Sequence, residues 1–169
     1  SEPDYGVALL NDCKYGYSVD DEDLALTLLK SSTYPDPLAD QGTHAFTYAL
    51  LPHLGDWRKG DVVHQGYALN CPAEAVPDMA VQQARPLFSL TGEGVIIEAV
   101  KQAESGRGIV VRLYECFGRR AKVQLKPGFD FDNVSFCNIL EESGESAPCE
   151  ESIVGFELKP YQIVSLLFT

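Results

Sequence analysis

Short apolar segments separated by turn-forming residues dominate this chain and constrain its fold more than any other feature. The segments are rich in Val, Ile, Leu, Phe and Tyr, and Gly, Pro, Asp or Asn residues bound them, which is the pattern of β-strands rather than helices. The pattern predicts an all-β fold, an antiparallel β-sandwich. The predicted strands are Tyr5 to Leu10, Leu24 to Lys30, His44 to Leu51, Leu87 to Leu90, Val95 to Gln102, Gly108 to Cys116, Arg120 to Leu125, Val134 to Leu140, Ser152 to Leu158 and Gln162 to Phe168.

Several of these strands are apolar at consecutive positions, as in Ile109-Val110-Val111 and Val164 to Phe168. Such strands are typical of a position between two packed layers or against another domain. With 169 residues, 45% of them hydrophobic, the chain has the size of one ordinary domain. We therefore expect residues 1–169 to form a single domain.

Two segments depart from the strand pattern. The apolar spacing after Gly55 predicts one short helical insertion, from about Asp56 to Leu69, followed by a proline-rich loop that crosses one edge of the sandwich. The stretch from Glu141 to Glu151 is rich in Glu and Ser, and we expect it to be a solvated acidic loop.

The net charge narrows the classes of partner, and the cysteines indicate the cellular compartment. A formal net charge of −12 would repel a phosphate backbone or an anionic lipid surface, so we expect neither nucleic acid nor membrane as a partner. Neutral sugars are not excluded. The five cysteines show no paired or metal-binding spacing and predict free thiols, which favours a reducing, cytoplasmic location. One or two disulfides with a spare thiol are the alternative.

Segments spread over nearly the whole chain resemble one enzyme family. Gly6 to Tyr17 (GVALLNDCKYGY) and Phe46 to His53 (FTYALLPH), with the loop Tyr34 to Pro37 between them, are similar to the C-terminal region of glycoside hydrolase family 38 α-mannosidases, in particular the cytosolic type. The resemblance continues through Val100 to Glu104, Arg112 to Glu115 and Tyr161 to Leu167.

The resemblance implies that this chain is a C-terminal, supersandwich-like fragment of a longer α-mannosidase. The intact enzyme would hydrolyse α-D-mannosides with retention, using a zinc cofactor whose ligands lie outside this fragment. The fragment alone would then be inactive, with no catalytic residue of its own. Its expected partners are the N-terminal catalytic domain of the same protein, the α-mannoside substrate and, in a homo-oligomer, further copies of the enzyme.

The residues themselves give little support for a complete hydrolase site. None of the three histidines begins an H-x-D pair of the kind that the family uses for zinc, so we expect no metal site here. Retaining hydrolysis needs two carboxyl groups about 5 Å apart, and Asp36 and Asp40 are the local pair. Both lie in a proline-rich loop, where Asp is commonly a turn former.

Asn11, Asp12, Lys14 and Tyr15 come directly after a strongly apolar strand. Polar side chains at a strand end can reach a cleft, and these four could offer hydrogen bonds and an aromatic face to a sugar. They are our candidates for the rim of the substrate cleft. A tight turn, begun by Asn-Asp and completed by Gly16, accounts for the same residues equally well.

Three further residues are candidates for interdomain or structural roles. Arg112 and Glu115 interrupt the most apolar strand and, being three apart, point to opposite faces. If buried, Arg112 needs a carboxylate partner such as Glu98. Trp57 lies in the helical insertion and is a candidate for contact with another domain. Tyr48 alternates with Leu50 on a face that we expect to be core.

Two other functions remain open from the sequence. An independent carbohydrate-binding module would bind mannosides through the Asn11 to Tyr17 rim or through exposed aromatic residues. A purely structural or oligomerisation domain would bind no sugar, and the scarcity of clustered aromatic residues favours it over the binding module.

Overall fold

The structure is a computed structural model that describes residues 4–75 and 85–169. The chain divides into two compact units, Ser1–Val76 (unit 1) and Pro77–Thr169 (unit 2). Unit 1 contains β1 (Tyr5–Asn11), β2 (Tyr17–Asp20), β3 (Asp23–Leu26), β4 (Tyr48–Leu54) and α1 (Val62–Asn70). Unit 2 contains β5 (Phe88–Thr91), β6 (Val95–Gln102), β7 (Ile109–Glu115), β8 (Ala121–Pro127), β9 (Val134–Cys137), β10 (Ser143–Ser146), β11 (Cys149–Glu150), β12 (Ile153–Leu158) and β13 (Ile163–Phe168).

Unit 2 is the predicted antiparallel β-sandwich. One sheet has five strands in the order β10-β9-β13-β7-β6, and the other has four in the order β11-β12-β8-β5. All described pairings in both sheets are antiparallel. Consecutive strands often belong to different sheets, so the chain crosses between the layers repeatedly, as it does from β7 to β8 and from β12 to β13.

The hydrophobic pattern of each strand explains its place in the sandwich. In β8, Ala121, Val123 and Leu125 are buried while the residues between them are exposed, because one face packs inward and the other meets solvent. In β7 the neighbours Val110 and Val111 are both buried, the first in a small outer cluster and the second in the main core. Consecutive apolar residues therefore mark a strand covered on both sides, as the sequence predicts.

Aromatic rings fill one region of the core in unit 2. Phe168 is 1% exposed, and the rings of Phe88, Phe129 and Phe131 lie 5.6, 6.0 and 5.1 Å from its ring centroid. Two of these three contacts are edge-to-face, the arrangement that ring quadrupoles favour. The last strand of the chain thus anchors the packing of both layers.

Unit 1 has no comparable core. Its described strands form two two-stranded antiparallel sheets, β1-β4 and β2-β3, and only Gly6 is buried among its described residues. Instead, apolar side chains line an open groove of about 290 Å³. We call this the unit 1 apolar groove, and its lining residues are Leu9, Leu24, Leu26, Leu28, Tyr48 and Leu50. A two-stranded sheet is marginally stable alone, so this unit needs a covering layer.

The prediction that Tyr48 and Leu50 of β4 lie on a core face is therefore wrong. Tyr48 is 57% exposed and Leu50 is 66% exposed, and their strand pairs only with β1 among the described residues. The strand itself is displaced from the predicted His44 to Leu51 to Tyr48–Leu54. Alternation predicted which residues share a face but not whether that face would be covered.

Two other local predictions need correction. The helix α1 begins at Val62 rather than near Asp56, because residues before it form turns in which Asp56 Oδ1 accepts the Lys59 N–H at 3.1 Å. The acidic loop contains two short strands, β10 and β11. Its Glu141 carboxylate is not solvated, since it accepts the Glu104 N–H at 2.6 Å and pairs with Lys101 at 2.8 Å.

The strand β2 also lies where no strand is predicted, in a hairpin with β3. The predicted loop over the sandwich edge falls largely on residues outside the described part. The single-domain expectation stays a prediction. No helix in the described part is long and apolar enough to cross a membrane.

The two units should respond differently to loss of an apolar side chain. Phe168→Ala opens a cavity in a packed core and should lower the free energy of unfolding of unit 2 by about 3–5 kcal/mol. Leu50→Ala removes an exposed side chain of unit 1 and should change stability by less than about 0.5 kcal/mol. Denaturant unfolding of both variants checks this, and a cost for Leu50→Ala near that of Phe168→Ala would contradict the coreless description of unit 1.

Candidate functional site

The candidate rim begins with a turn that Asn11 holds closed. Its Oδ1 accepts the backbone N–H of Cys13 at 3.1 Å and also that of Lys14, while its Nδ2 donates to the Tyr17 hydroxyl. An Asn side chain that bonds the backbone two and three residues ahead replaces a turn hydrogen bond. Asn11 is thus committed to local structure.

Asp12 is also engaged in local structure, through hydrogen bonds to the segment before β4. Its Oδ2 accepts the Thr47 N–H at 2.9 Å, and its own N–H donates to the Thr47 carbonyl at 3.1 Å. The Thr47 N–H and then the Cys13 thiol lower the pKa of the Asp12 carboxyl, and the bond to Asp12 raises the pKa of the Cys13 thiol. These contacts extend the β1-β4 pairing beyond its last ladder residues.

Lys14 and Tyr15 are the rim residues that remain available. The Lys14 Nζ lies 4.6 Å from the centroid of the Phe46 ring, a cation–π distance. Tyr15 is 92% exposed. The structure therefore brings all four rim candidates together at one strand end, with Asn11 and Asp12 building the turn that presents Lys14 and Tyr15. Contact of this rim with substrate stays a prediction.

Trp57 is half-buried in the turn that precedes α1. The Arg58 guanidinium lies 4.5 Å from its ring centroid, and Arg58 also pairs with Asp56 at 3.3 Å. Part of the indole face is therefore covered by a neighbouring side chain. An interdomain role for Trp57 stays a prediction.

Glu115 is the buried charge of unit 2. Its side chain is fully buried at the end of β7, on the face opposite to Arg112. The carboxylate accepts four backbone N–H groups: Phe117 at 2.7 Å, Gly118 at 2.9 Å, Arg119 at 3.3 Å and Tyr161 at 3.0 Å. A buried carboxylate needs such compensation for lost hydration.

The backbone around Glu115 is shaped to supply these donors. Gly118 has φ +74°, and a Cβ there would lie 2.5 Å from the Tyr161 hydroxyl oxygen. Burial by itself would raise the pKa of the Glu115 carboxyl, but the N–H groups of Tyr161, Phe117, Gly118 and Arg119 outweigh burial and lower it. Glu115 is therefore ionised and structural, joining two turns at one end of the sandwich.

Arg112 is only partly buried, so the condition under which it would need a carboxylate partner is not met. Its Nε donates to Ser165 Oγ at 3.0 Å across the β7-β13 pairing, and it forms no ion pair with a carboxylate among the described residues. The sequence does not single out Ser165, because one serine within an apolar strand carries no functional signal. The two residues line a groove of about 590 Å³, which we call the unit 2 polar groove, formed by residues of both sheets.

Asp36 and Asp40, the candidate carboxylate pair, accept backbone hydrogen bonds within a loop. Asp36 Oδ1 accepts the Leu38 N–H at 2.9 Å, and Asp40 Oδ2 accepts the Ser31 N–H at 2.8 Å. Within residues 4–75 and 85–169, no three His, Cys, Asp or Glu side chains come together in a way that could hold a metal ion. The residues described here therefore do not fit a zinc centre. All five cysteines are free thiols, as the sequence predicts.

Comparison with known sequences assigns the family. A family model described as "Glycosyl hydrolases family 38 C-terminal beta sandwich domain" matches residues 94–166, within unit 2. A second model, described as "Glycosyl hydrolases family 38 C-terminal domain", matches residues 1–38, within unit 1. The chain belongs to the C-terminal region of glycosyl hydrolase family 38. The family that the sequence motifs indicate is thereby confirmed.

Individual relatives align along almost the whole chain. It is 38% identical to the human protein named Alpha-mannosidase 2C1 and 37% identical to the mouse protein of that name, over 99% of this chain and 17% of each relative. It is 34% identical to Alpha-mannosidase G of Dictyostelium discoideum, over 99% of this chain and 16% of that protein. The chain thus spans about a sixth of the length of these family 38 relatives.

The buried Glu115 gives a prediction about pH. Its folded pKa is depressed, so its contribution to stability is complete above the ordinary carboxyl pKa of about 4.3 and is lost as the pH falls through the lower, folded value. Glu115→Gln should lower stability at pH 7 by on the order of 2–4 kcal/mol, because an amide cannot accept all four N–H groups. The variant should also lose stability less steeply than the parent in acid.

Urea unfolding between pH 2 and pH 7 measures both effects. Glu157→Gln is the matched control, since the Glu157 side chain is 48% exposed and pairs with Arg120 at 2.7 Å. It should change stability little. Equal effects of the two substitutions would show that the four N–H contacts of Glu115 carry no special weight.

Proposed function

We propose that this chain is the C-terminal part of a zinc-dependent, retaining α-mannosidase and that it packs on the catalytic part of that enzyme. The supporting observation is the alignment of 99% of the chain with 16–17% of proteins named α-mannosidases. In this proposal, the chain would act as one region of a longer enzyme. The substrate class would be α-D-mannosides.

The chemistry would take place outside the described residues. Retaining hydrolysis requires two carboxyl groups about 5 Å apart, one of which attacks the sugar while the other transfers a proton. Asp36 and Asp40 are bound to backbone N–H groups instead, and Glu115 is enclosed by four of them. Because the described residues offer no ligand set for zinc, the metal would also be held elsewhere in the enzyme.

The unit 1 apolar groove supports the packing role. Six apolar side chains face an open surface there, and exposed apolar surface of this kind marks an interaction site. Burying it against another layer would supply the core that unit 1 lacks. The rim residues Lys14 and Tyr15 would then border the sugar cleft from one side.

The free thiols and the similarity to Alpha-mannosidase 2C1 support a cytoplasmic location. A purely structural role is the second candidate. It is favoured by the same groove, which a second copy of the chain could also cover in a homo-oligomer.

A reconstitution assay tests the proposal. Hydrolysis of a chromogenic α-mannoside with added zinc is measured for this chain, for the N-terminal part of the enzyme, and for the two co-expressed. We expect activity only when both are present. Activity of this chain alone would show a catalytic site within it, and a co-expressed pair that neither associates nor hydrolyses the mannoside would overturn the proposal.

A pair of matched variants locates the contact. Leu50→Asp places a charge in the unit 1 apolar groove and should abolish association and activity together. Leu140→Asp changes a similarly exposed leucine of unit 2, 74% exposed against 66% for Leu50, and should preserve both. If the chain forms a dimer that Leu50→Asp dissociates while reconstitution proceeds unchanged, the groove serves self-association instead.

A further inference from the structure

The unit 2 polar groove combines features that suit a sugar. Its lining includes Arg112 and Ser165 from the five-stranded sheet and Phe156 from the four-stranded sheet. At about 590 Å³ it is within the size range of ligand pockets. All of its lining residues belong to unit 2.

Hydrogen-bonding groups in this groove are incompletely used. Arg112 has five N–H donors, and its contact with Ser165 engages only Nε. Gln162 accepts the Lys159 N–H through Oε1 at 2.8 Å, which leaves its Nε2 donor without a hydrogen-bond partner among the described residues. Glu145 adds a carboxylate acceptor that likewise has no partner in the part of the chain that the structure describes.

Apolar surface lies beside these polar groups. Ile163 is 67% exposed at the groove, and Phe156, which packs edge-to-face on Phe136 with centroids 5.6 Å apart, is only partly buried. An aromatic or aliphatic surface suits the C–H face of a sugar ring, while planar polar side chains suit its hydroxyls.

We propose that the unit 2 polar groove is a non-catalytic binding site for a neutral oligosaccharide. Each sugar hydroxyl both donates and accepts a hydrogen bond, so it needs the mixture of Arg112, Gln162 and Glu145 that the groove presents. A carboxylate ligand accepts only, and Glu145 together with the net charge of −12 would repel it. The groove therefore favours a neutral polyhydroxyl ligand over an anion.

Ser165 acts as a positioning residue in this site. It lies opposite Arg112 on one side and opposite Cys137 on the other, and its side chain is almost fully buried. By accepting the Nε hydrogen bond it restricts the guanidinium plane. The two terminal nitrogens of Arg112 remain for a ligand.

A titration of the whole 169-residue chain, labelled with ¹⁵N, tests the site. The probe is an α-linked mannobiose, a choice that rests on the proposed function. We expect saturable shifts of amide signals at residues 136–138 and 162–165. Arg112→Ala should weaken binding about tenfold, since a hydrogen bond to a charged group is worth about that factor.

Two further variants keep the test decisive if Arg112→Ala folds poorly. Glu145→Ala changes an exposed side chain and should weaken binding several-fold. Lys126→Ala, an exposed residue of β8 that does not line the groove, should leave the affinity unchanged. A parallel titration with acetate should produce no saturable shift at the same residues.

Each other outcome overturns the proposal. Absence of saturable shifts with mannobiose, shifts confined to residues 11–17, or saturable binding of acetate in place of the sugar would each remove the oligosaccharide site. The reconstitution assay is independent of this groove, so loss of the sugar site leaves the α-mannosidase proposal intact. Sugar binding without reconstituted activity would support the sugar site and contradict the α-mannosidase proposal.

Discussion

The sandwich depends on one buried carboxylate at the end of β7. Glu115 accepts N–H groups from the turn between β7 and β8 and from Tyr161, in the turn between β12 and β13. Both turns carry the chain from one sheet to the other, so a single charge holds two crossings together. Gly118 keeps φ positive beside it, and the Glu115 N–H itself donates to the Gln162 carbonyl at 3.1 Å. Without this centre, four backbone N–H groups would lose their acceptor.

The two units differ in what they need from their surroundings. Unit 2 encloses a core that includes Leu113, Leu125 and Phe168. Burial of this apolar surface offsets the conformational entropy that unit 2 loses on folding. In unit 1, apolar side chains from the described strands line a groove that stays open. The proposed packing of unit 1 on a longer enzyme would supply the missing layer, and the relatives are about six times longer than this chain. Its stability would then be inseparable from that association.

Each unit carries one of the two candidate functional surfaces. The rim of unit 1 presents Lys14 and Tyr15 on a turn that Asn11 and Asp12 fix, whereas the groove of unit 2 presents Arg112 beside partly buried aromatic surface. The net charge of −12 disfavours anionic polymers through long-range repulsion and leaves neutral sugars unaffected. The two proposals assign the rim to a domain contact beside the sugar cleft and the groove to direct binding of a sugar.

The sequence by itself determined the family, the all-β class and most strands of unit 2, because runs such as Val95–Gln102 combine apolar content with clear turn boundaries. It also placed Arg112 and Glu115 on opposite faces, since side chains alternate along a strand. Only the tertiary structure decided that Tyr48 and Leu50 face an open groove, that Arg112 bonds Ser165, and that Glu115 binds the N–H of Tyr161, 46 residues away. Local periodicity encodes which residues share a face, whereas what covers a face or satisfies a charge depends on segments distant in sequence.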